Sequence, residues 1–342
     1  MSIIFSTCFY VLNSKSKFSA ETYIEWMSNF LSMVDHFYLV IYTDEHTSKY
    51  IYYLLSTSSS ITIPKPENIK IIIKPMTTFY NYRYKEYWKS NHERNYLLNE
   101  KSGWELNMIW SEKVWFVKET ADNKYFYDVI TPPSPPYYGW CDIGYFRNRK
   151  NDTPINKLSN WANREKITKI FEMDLSQSPL SLENIKLESK KEKEYNVYRF
   201  IILIQYILQT ISKFITFFLF PSKKYTTKIA YACISNDNQY MNYLYAIINQ
   251  KNMLGLPIQE IPANQQSIAG GFFLIHKERI DWWAKTYDDK LRLYLENGRL
   301  VKDDQIILAD CILSEKNKTD FQLYKENKPM LDNWFMFQRI LG

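Results

Sequence analysis

Glycine is scarce in this chain, with eight residues among 342. The glycine-rich phosphate-binding patterns GxxxxGK[ST] and GxGxxG are absent, as is the nucleophile motif GxSxG. These absences argue against a P-loop protein, a dinucleotide-binding Rossmann protein and a serine hydrolase of that type. Half of the glycines stand at two places in the sequence, Gly139 with Gly144 and Gly270 with Gly271. This concentration predicts backbone that turns tightly or lies close to a ligand.

Cysteine is also rare, and the four cysteines are far apart with no CxxC pair. That spacing argues against a zinc site or a disulfide framework and predicts reduced thiols in a cytoplasmic setting. Charge of one sign is hardly in excess, because 43 basic residues are interspersed with 37 acidic ones. Without a basic stripe, we expect no nucleic-acid partner. The first apolar run has no basic region before it and is interpreted as a core strand rather than a signal peptide.

Apolar runs and helical stripes alternate along most of the sequence. Strands are predicted over residues 3–11, 36–42, 69–74, 229–234 and 271–276, together with the apolar residues that precede Asp142. Helices are predicted over residues 21–33, 48–55, 108–121, 240–250, 277–295 and 303–313. Such alternation predicts an α/β fold with a mainly parallel sheet that helices cover on both faces.

Asp142 is the first candidate for a functional residue, because it follows a buried strand and precedes Gly144. Ligands of open α/β sheets bind outside the carboxyl ends of the strands. A carboxylate at that edge suits a divalent metal ion or a ribose. The alternative is an ordinary Asp-x-Gly turn that closes a strand.

The pair Asp303-Asp304 opens a predicted helix, where aspartates commonly cap the backbone and suit the helix dipole. Adjacent residues do not share one helix face. We therefore expect one aspartate to cap the helix while the other faces the site as a base or a metal ligand, and the sequence does not say which. Gly270 and Gly271 are interpreted either as a bulge or as backbone that leaves room for a sugar ring.

Several further residues have a functional interpretation beside an ordinary one. Lys113 lies beside the apolar stripe of its helix, so it either extends along the core edge or reaches a phosphate. Arg147 is a phosphate-binding candidate or an exposed loop arginine. Thr43 and Asp44 follow the second strand, where they contact a nucleoside or form a turn. His276 is either a metal ligand or an ordinary core or surface histidine.

An apolar stretch over residues 196–220 stands out, with Arg199 and Lys213 as its only charges. Its polar side chains recur at helical spacing and form a narrow stripe: Gln205, Gln209, Lys213 and Thr216. Lys213 shortens the uncharged span below the roughly 20 residues that a membrane-spanning helix needs. Three interpretations stay open: a helix in a core or oligomer interface, a helix lying on a membrane surface, and a true span.

Six segments, taken in order, resemble the HtrL/YibB family. They are TCFY (7–10), IYTDE (41–45), MIWSEKVWFVKET (108–120), WCDIGYFR (140–147), AGGFFLIHKE (269–278) and DDQIILAD (303–310). That family is similar to glycosyltransferases of the GT-A fold. The resemblance covers most of the chain except residues 185–225, which are interpreted as an insertion.

The resemblance implies a GT-A-like enzyme that moves a sugar from a nucleotide-diphosphate sugar, in the first place a UDP-sugar, to a glycan or other hydroxyl acceptor. It implies that Asp142 binds Mn²⁺ or Mg²⁺ and the diphosphate, although Gly144 stands where a second carboxylate would be. His276 remains a candidate second ligand for that metal ion.

The resemblance also assigns the remaining site residues. It implies that Lys113 and Arg147 lie near the donor, and the predicted donor side also includes Thr7, Thr43, Asp44 and Gly144. It implies that Gly270 and Gly271 shape the acceptor side, and that Asp303 or Asp304 is the base or a metal ligand.

Three segments follow from this interpretation: a nucleotide-sugar-binding half over residues 1–184, a linker and helix insertion over 185–225, and an acceptor-side half of the same domain over 226–342. We expect a cytoplasmic protein, peripheral on a membrane if residues 196–220 contact one. The alternative functions are a catalytically inactive nucleotide-sugar binder and a membrane-associated scaffold.

Overall fold

A computed structural model of the chain describes residues 3–12, 18–57, 65–130, 137–149, 152–172, 227–326 and 331–342. The helix predicted over 196–220 and the charged linker before it lie outside the described residues. Their core, interface and membrane interpretations therefore stay predictions. The described parts before residue 172 and after residue 226 belong to one compact unit.

In the described part of the chain, seven strands form one sheet: β1 (Ile3–Cys8), β2 (Tyr38–Thr43), β3 (Ile69–Ile73), β4 (Tyr137–Cys141), β5 (Ile229–Cys233), β6 (Ile268–His276) and β7 (Phe321–Tyr324). Their order across the sheet is β3-β2-β1-β4-β6-β5-β7. Every neighbouring pair is parallel except the two pairs that include β6, which is antiparallel to β4 and to β5. The predicted mainly parallel sheet is confirmed.

Nine α-helices are described: α1 (Ala20–Leu31), α2 (Glu45–Thr57), α3 (Lys85–Arg94), α4 (Trp104–Asp122), α5 (Arg164–Glu172), α6 (Asn238–Asn249), α7 (Ile280–Glu296), α8 (Asp304–Ile312) and α9 (Met336–Leu341). They cover both faces of the sheet, as predicted. One face packs against α3, α4, α6, α7 and α8. The other packs against α1, α2, α5 and α9.

Alternation along the strands sorts their side chains between these two cores. In β1, Ile4 belongs to the core that contains α4, while Ile3 and Phe5 belong to the core that contains α1. Tyr138 and Trp140 of β4 likewise face α4. All of these side chains are buried, which explains why the strands appear in the sequence as continuous apolar runs.

Two predicted boundaries change in a way that matters for the site. The strand predicted over 271–276 begins earlier, at Ile268, so that Gly270 and Gly271 lie inside β6. The pairing of β5 with β6 shifts register between Tyr231 and Cys233, opposite these glycines. The helix predicted over 277–295 is a short 3₁₀ turn, Lys277–Arg279, followed by α7. The elements α3, α5, β7 and α9 were not predicted.

Candidate active site

A cavity of about 360 Å³ lies where β4 ends, beside the first half of β6 and the start of α8. Because β6 runs antiparallel to β4, its early residues meet the carboxyl end of β4, and the amide of Asp142 donates to the carbonyl of Gly271 at 2.8 Å. Eight of the predicted site residues line the cavity: Lys113, Asp142, Gly144, Arg147, Gly270, Gly271, Asp303 and Asp304. The position agrees with the rule that ligands bind at the carboxyl edge of α/β sheets.

Lys113 of α4 joins the elements that meet here. Its Nζ donates to the carbonyl of Gly270 at 2.9 Å and to Oδ2 of Asp304 at 3.0 Å. The same nitrogen lies 3.2 Å from Oδ1 of Asp142. Burial would lower the pKa of Lys113, but the carboxylates of Asp142 and Asp304 outweigh burial and raise it. One ammonium group is therefore held charged by two carboxylates.

Asp142 is positioned by its own strand as well as by Lys113. The indole N–H of Trp140 donates to Oδ1 of Asp142 at 2.6 Å. Residues two apart in a strand face the same side, which explains why this pair meets. The carbonyl of Asp142 accepts from the amide of Tyr145 at 2.9 Å, so the predicted turn is also present. The turn and the placement of the carboxylate in the cavity coexist.

The two aspartates at the start of α8 divide their tasks, as the sequence predicted. Asp303 is the N-cap residue: its Oδ1 accepts from the amide of Gln305 at 3.2 Å, and its Oδ2 pairs with Lys302 at 2.6 Å. Asp304 instead directs its carboxylate to Lys113. Burial raises the pKa of Asp304 to about 6; Lys113 opposes the rise and Asp303 adds to it. Burial also raises the pKa of Asp303, and Lys302 opposes that rise.

Gly270 and Gly271 make room for the two carboxylates. A methyl group on Gly270 would lie 2.5 Å from Oδ2 of Asp304, which is closer than side-chain atoms pack. A methyl group on Gly271 would lie 3.2 Å from Oδ2 of Asp142. Close packing of Asp304 against the β6 backbone therefore requires a glycine at position 270, whereas a methyl group at position 271 would need only a small shift of Asp142.

Arg147 is the cavity cation that stands apart from carboxylates. Its Nε donates to the carbonyl of Gly144 at 2.7 Å, and its guanidinium carbon lies 4.3 Å from the ring centre of Trp26. The rings of Phe18 and Phe335 also lie within cation–π range. Within the described ranges, no carboxylate lies at ion-pair distance from this guanidinium, and burial lowers its pKa. An anion entering the cavity would find here a desolvated positive charge.

Three predicted donor residues lie outside the cavity lining. Thr7 is fully buried in β1, and its hydroxyl has no hydrogen-bond partner in the described structure. Thr43 is fully buried at the end of β2. Oδ1 of Asp44 accepts from the amide of Thr47 at 2.7 Å, in the first turn of α2. Asp44 therefore makes the contact expected of a residue in a turn.

His276 lies away from Asp142 in the sheet. His276 is paired with Tyr137, at the opposite end of β4 from Asp142. The antiparallel direction of β6 separates them, because Gly271 meets the end of β4 and His276 meets its beginning. The imidazole accepts from the amide of Glu278 at 3.4 Å, and burial lowers its pKa.

Several residues that line the cavity were not predicted from the sequence as site residues. Trp140 stood inside the quoted motif without a role, although its spacing from Asp142 indicates a shared face. Lys302 precedes the aspartate pair directly and was detectable as its counter-charge. The aromatic wall was not detectable, because its members are far apart in sequence; it includes Tyr10, Phe18, Tyr23, Trp110 and Trp334.

The carboxylate oxygens of Asp142 and Asp304 are ligands of the kind that a divalent cation binds in proteins. Asp142 and Asp304 carry two negative charges against the one positive charge of Lys113. One oxygen of each carboxylate contacts Lys113; the other accepts no hydrogen bond from a described residue. Mg²⁺ is commonly held by one or two carboxylates plus substrate phosphates. In the described ranges, no group of three or more His, Cys, Asp or Glu side chains is placed to hold a metal ion.

Comparison with known proteins adds little to this geometry. No family model matches the chain, and no curated protein matches it. Among solved structures, the apo crystal structure of mouse xyloside xylosyltransferase 1 matches with a TM-score of 0.41 and 11% identity, over 95% of this chain and 85% of that chain. Likeness at this level says nothing about function. Across the described ranges, no helix combines the length and the apolar character needed to cross a membrane.

Proposed function

We propose that this chain is a glycosyltransferase that moves a sugar from a nucleotide-diphosphate sugar, in the first place a UDP-sugar, to a hydroxyl acceptor. One observation carries the proposal: Asp142 and Asp304, from different elements, converge on Lys113 in a cavity at the carboxyl edge of the sheet. The sequence resemblance to the HtrL/YibB family supports the same reaction class.

The carboxylates of Asp142 and Asp304 are proposed to face the sugar of the donor and the cation that binds with it. Asp304 was expected to be either a base or a metal ligand. Asp304 and Asp142 both contact Lys113, so their carboxylates lie close together. This arrangement favours the role of metal ligand for Asp304. Asp303 is proposed to be structural, since its carboxylate is already engaged by Gln305 and Lys302.

The reaction requires stabilisation of a departing diphosphate. The acceptor oxygen bonds to the anomeric carbon, the bond from that carbon to the phosphate oxygen breaks, and the hydroxyl proton passes to a base. Arg147 is proposed to bind the diphosphate, because a desolvated guanidinium that pairs with no carboxylate of the described residues offers hydrogen bonds to phosphate oxygens. Bound Mn²⁺ or Mg²⁺, facing Asp142 and Asp304, would neutralise further charge on the leaving group.

The acceptor side is proposed to lie along β6, as the resemblance implies for Gly270 and Gly271. Both glycines line the cavity next to the carboxylates. A hydroxyl that approaches over this strand would come close to the sugar end of the donor.

A donor-turnover assay tests the proposal. The purified protein is incubated with a panel of UDP- and GDP-sugars and Mn²⁺, and release of the nucleotide is measured with and without glycan acceptors. We expect release from one donor, and its loss in Asp142→Asn with an unchanged circular dichroism spectrum. The matched control is Asp281→Asn, an exposed aspartate that pairs with Lys118 outside the cavity. Full activity in Asp142→Asn would contradict the proposal.

A further inference from the structure

Three buried asparagine side chains hold the backbone that leads into the aspartate pair. The side-chain amide of Asn91 donates to the carbonyl of Val301 at 2.8 Å, and its oxygen accepts from the amide of Val301 at 2.8 Å. Asn107 donates to the same carbonyl at 3.2 Å, and Asn95 donates to the carbonyl of Lys302 at 3.0 Å. Two consecutive residues are thus fixed by side chains from α3, from the residue that follows α3, and from α4.

We propose that Asn91, together with Asn95 and Asn107, positions the carboxylate of Asp304 for the reaction. The inference rests on the proposed function and adds positioning residues that lie outside the lining of the cavity. Residues 301 and 302 stand immediately before Asp303, the N-cap of α8. The direction in which the chain enters α8 therefore decides where the carboxylates of its first residues lie.

The loop between α7 and α8 depends on these contacts. The amides of Gly298 and Arg299 still donate to carbonyls near the end of α7. In the described part of the chain, residues 300–302 form no hydrogen bond with another backbone group. Their hydrogen bonds to side chains are those of the three asparagines. Removal of the asparagine amides should therefore free this stretch to move.

The carboxylate of Asp304 tolerates little displacement. Its Oδ2 accepts from Nζ of Lys113 at 3.0 Å, and the same oxygen lies against Gly270 with no space for a methyl group. A misplacement of about 1 Å in an active site can cost roughly a hundredfold in rate. Greater freedom of the loop should therefore lower turnover even when the fold persists.

The polar character of α3 fits this task. Asn91, Arg94 and Asn95 have the spacing i, i+3 and i+4, which places them on one face of the helix. Arg94 donates to the carbonyl of Gly298 at 2.5 Å, near the start of the same loop. This face of α3 therefore binds loop backbone, while Trp88 is buried in the core.

Steady-state turnover of matched asparagine variants tests the inference. Asn91→Leu removes both hydrogen bonds to Val301 and keeps a side chain of similar size. Asn249→Leu is the matched control, because Asn249 makes the same pair of bonds near the far end of α8. It donates to the carbonyl of Leu313 at 3.0 Å and accepts from the amide of Glu315 at 2.7 Å.

Both variants are assayed well below their melting temperatures, with a donor that the wild-type protein turns over. We expect kcat of Asn91→Leu to fall about tenfold or more while KM for the donor stays within about threefold, since Arg147 lies on a separate loop. Asn249→Leu should keep kcat within about twofold of wild type. Hydrogen exchange of residues 300–305, measured in parallel, should become faster in Asn91→Leu and stay unchanged in Asn249→Leu.

A second variant decides the question if Asn91→Leu does not fold. Asn95→Ala loses a single hydrogen bond, the one to the carbonyl of Lys302. We expect its kcat to fall about threefold, with faster exchange of residues 300–305. Unchanged kcat in Asn95→Ala, despite faster exchange, would overturn the inference.

The remaining results separate the two proposals. If Asn91→Leu keeps the kcat of wild type, or if Asn249→Leu loses as much, the asparagines contribute only to stability. The positioning role would then be overturned and the glycosyltransferase proposal left intact. If the wild-type protein turns over no donor, the proposed function is overturned and the inference with it.

Discussion

The carboxylate of Asp304 lies directly against the α-carbon of Gly270, with no space for a methyl group between them. The two residues are more than thirty positions apart in sequence, and the contact brings the start of α8 onto β6. It explains why the chain places one of its few glycines inside a strand, where glycine is otherwise unfavourable. The same contact holds Asp304 within reach of Lys113.

Gly270→Ala should displace Asp304 and reduce donor turnover strongly. The added methyl group would lie 2.5 Å from Oδ2, so either the carboxylate or the strand must shift. Overpacking of this kind costs about 1–3 kcal/mol of stability. Gly271→Ala is the comparison, because its methyl group would lie 3.2 Å from Asp142 and needs a smaller adjustment. Turnover and thermal unfolding are measured for both; a larger effect in Gly271→Ala would contradict this account of the packing.

Trp140→Phe should lower turnover more than it lowers stability. The substitution keeps an aromatic ring in the stack with Phe116 but removes the N–H that donates to Asp142. Loss of one such hydrogen bond costs about 1 kcal/mol of stability. We expect kcat to fall about tenfold, since an unrestrained carboxylate is poorly placed. If kcat is unchanged while the melting temperature falls, Trp140 contributes to packing only.

Arg147→Met should weaken donor binding about tenfold to a hundredfold, because charged hydrogen bonds to phosphate are lost. The thioether side chain retains contact with the ring of Trp26. Arg149→Met serves as control: Arg149 pairs with Asp152 and Asp332 and does not line the cavity. Calorimetry with the nucleotide diphosphate distinguishes the two variants. Equal losses of affinity in both would show that Arg147 has no specific contact with the phosphates.

Donor turnover should fall as the pH drops through about 6, the value to which burial raises the pKa of Asp304. Protonated Asp304 can neither face a cation nor accept a proton, so either expected role requires the carboxylate. The pH dependence of kcat/KM for wild type is compared with that of Asp303→Asn, in which the fall should lie at lower pH because Asp303 adds to the rise in the pKa of Asp304. A profile that is flat between pH 5 and 8 would contradict the assignment.

Stability should change with pH in the opposite sense. The folded-state pKa of Asp304 lies above the unfolded value of about 3.9, so the folded protein binds this proton more tightly. The resulting stabilisation is fully present below about pH 4 and is lost as the pH rises through about 6. Asp304→Asn should lack this component when melting temperatures are compared across that range. An identical pH dependence in both proteins would rule it out.

The layers of this fold were predictable because burial determines where apolar residues stand in the sequence. Continuous apolar runs marked β1, β2 and β5, since strands covered on both faces expose no polar side. The strand β7 and the helices α3, α5 and α9 were missed, because they are short or mostly polar and take their stability from the surrounding chain.

Three residues at the centre of the candidate site were also predictable from the sequence. The sequence indicated that Asp142 follows a strand and that Asp304 opens a helix. It also indicated, from the scarcity of glycine, that Gly270 lies where backbone approaches another group. The position of His276 was not predictable, because it depends on the direction of β6, and that direction follows from the long-range pairing with β4. The ring contacts of Arg147 with Trp26 and Phe335 are likewise set by tertiary packing.

Thermal unfolding in the presence of donors tests the central claim most directly. The purified protein is heated with each member of a panel of nucleotide-diphosphate sugars, with and without Mn²⁺. A ligand at a hundred times its Kd stabilises the folded state by about 2.7 kcal/mol, which is readily measured. We predict stabilisation by one donor that Mn²⁺ strengthens and Asp142→Asn abolishes. Absence of stabilisation by every donor, in a protein that unfolds cooperatively, would contradict the claim that this cavity is a donor site.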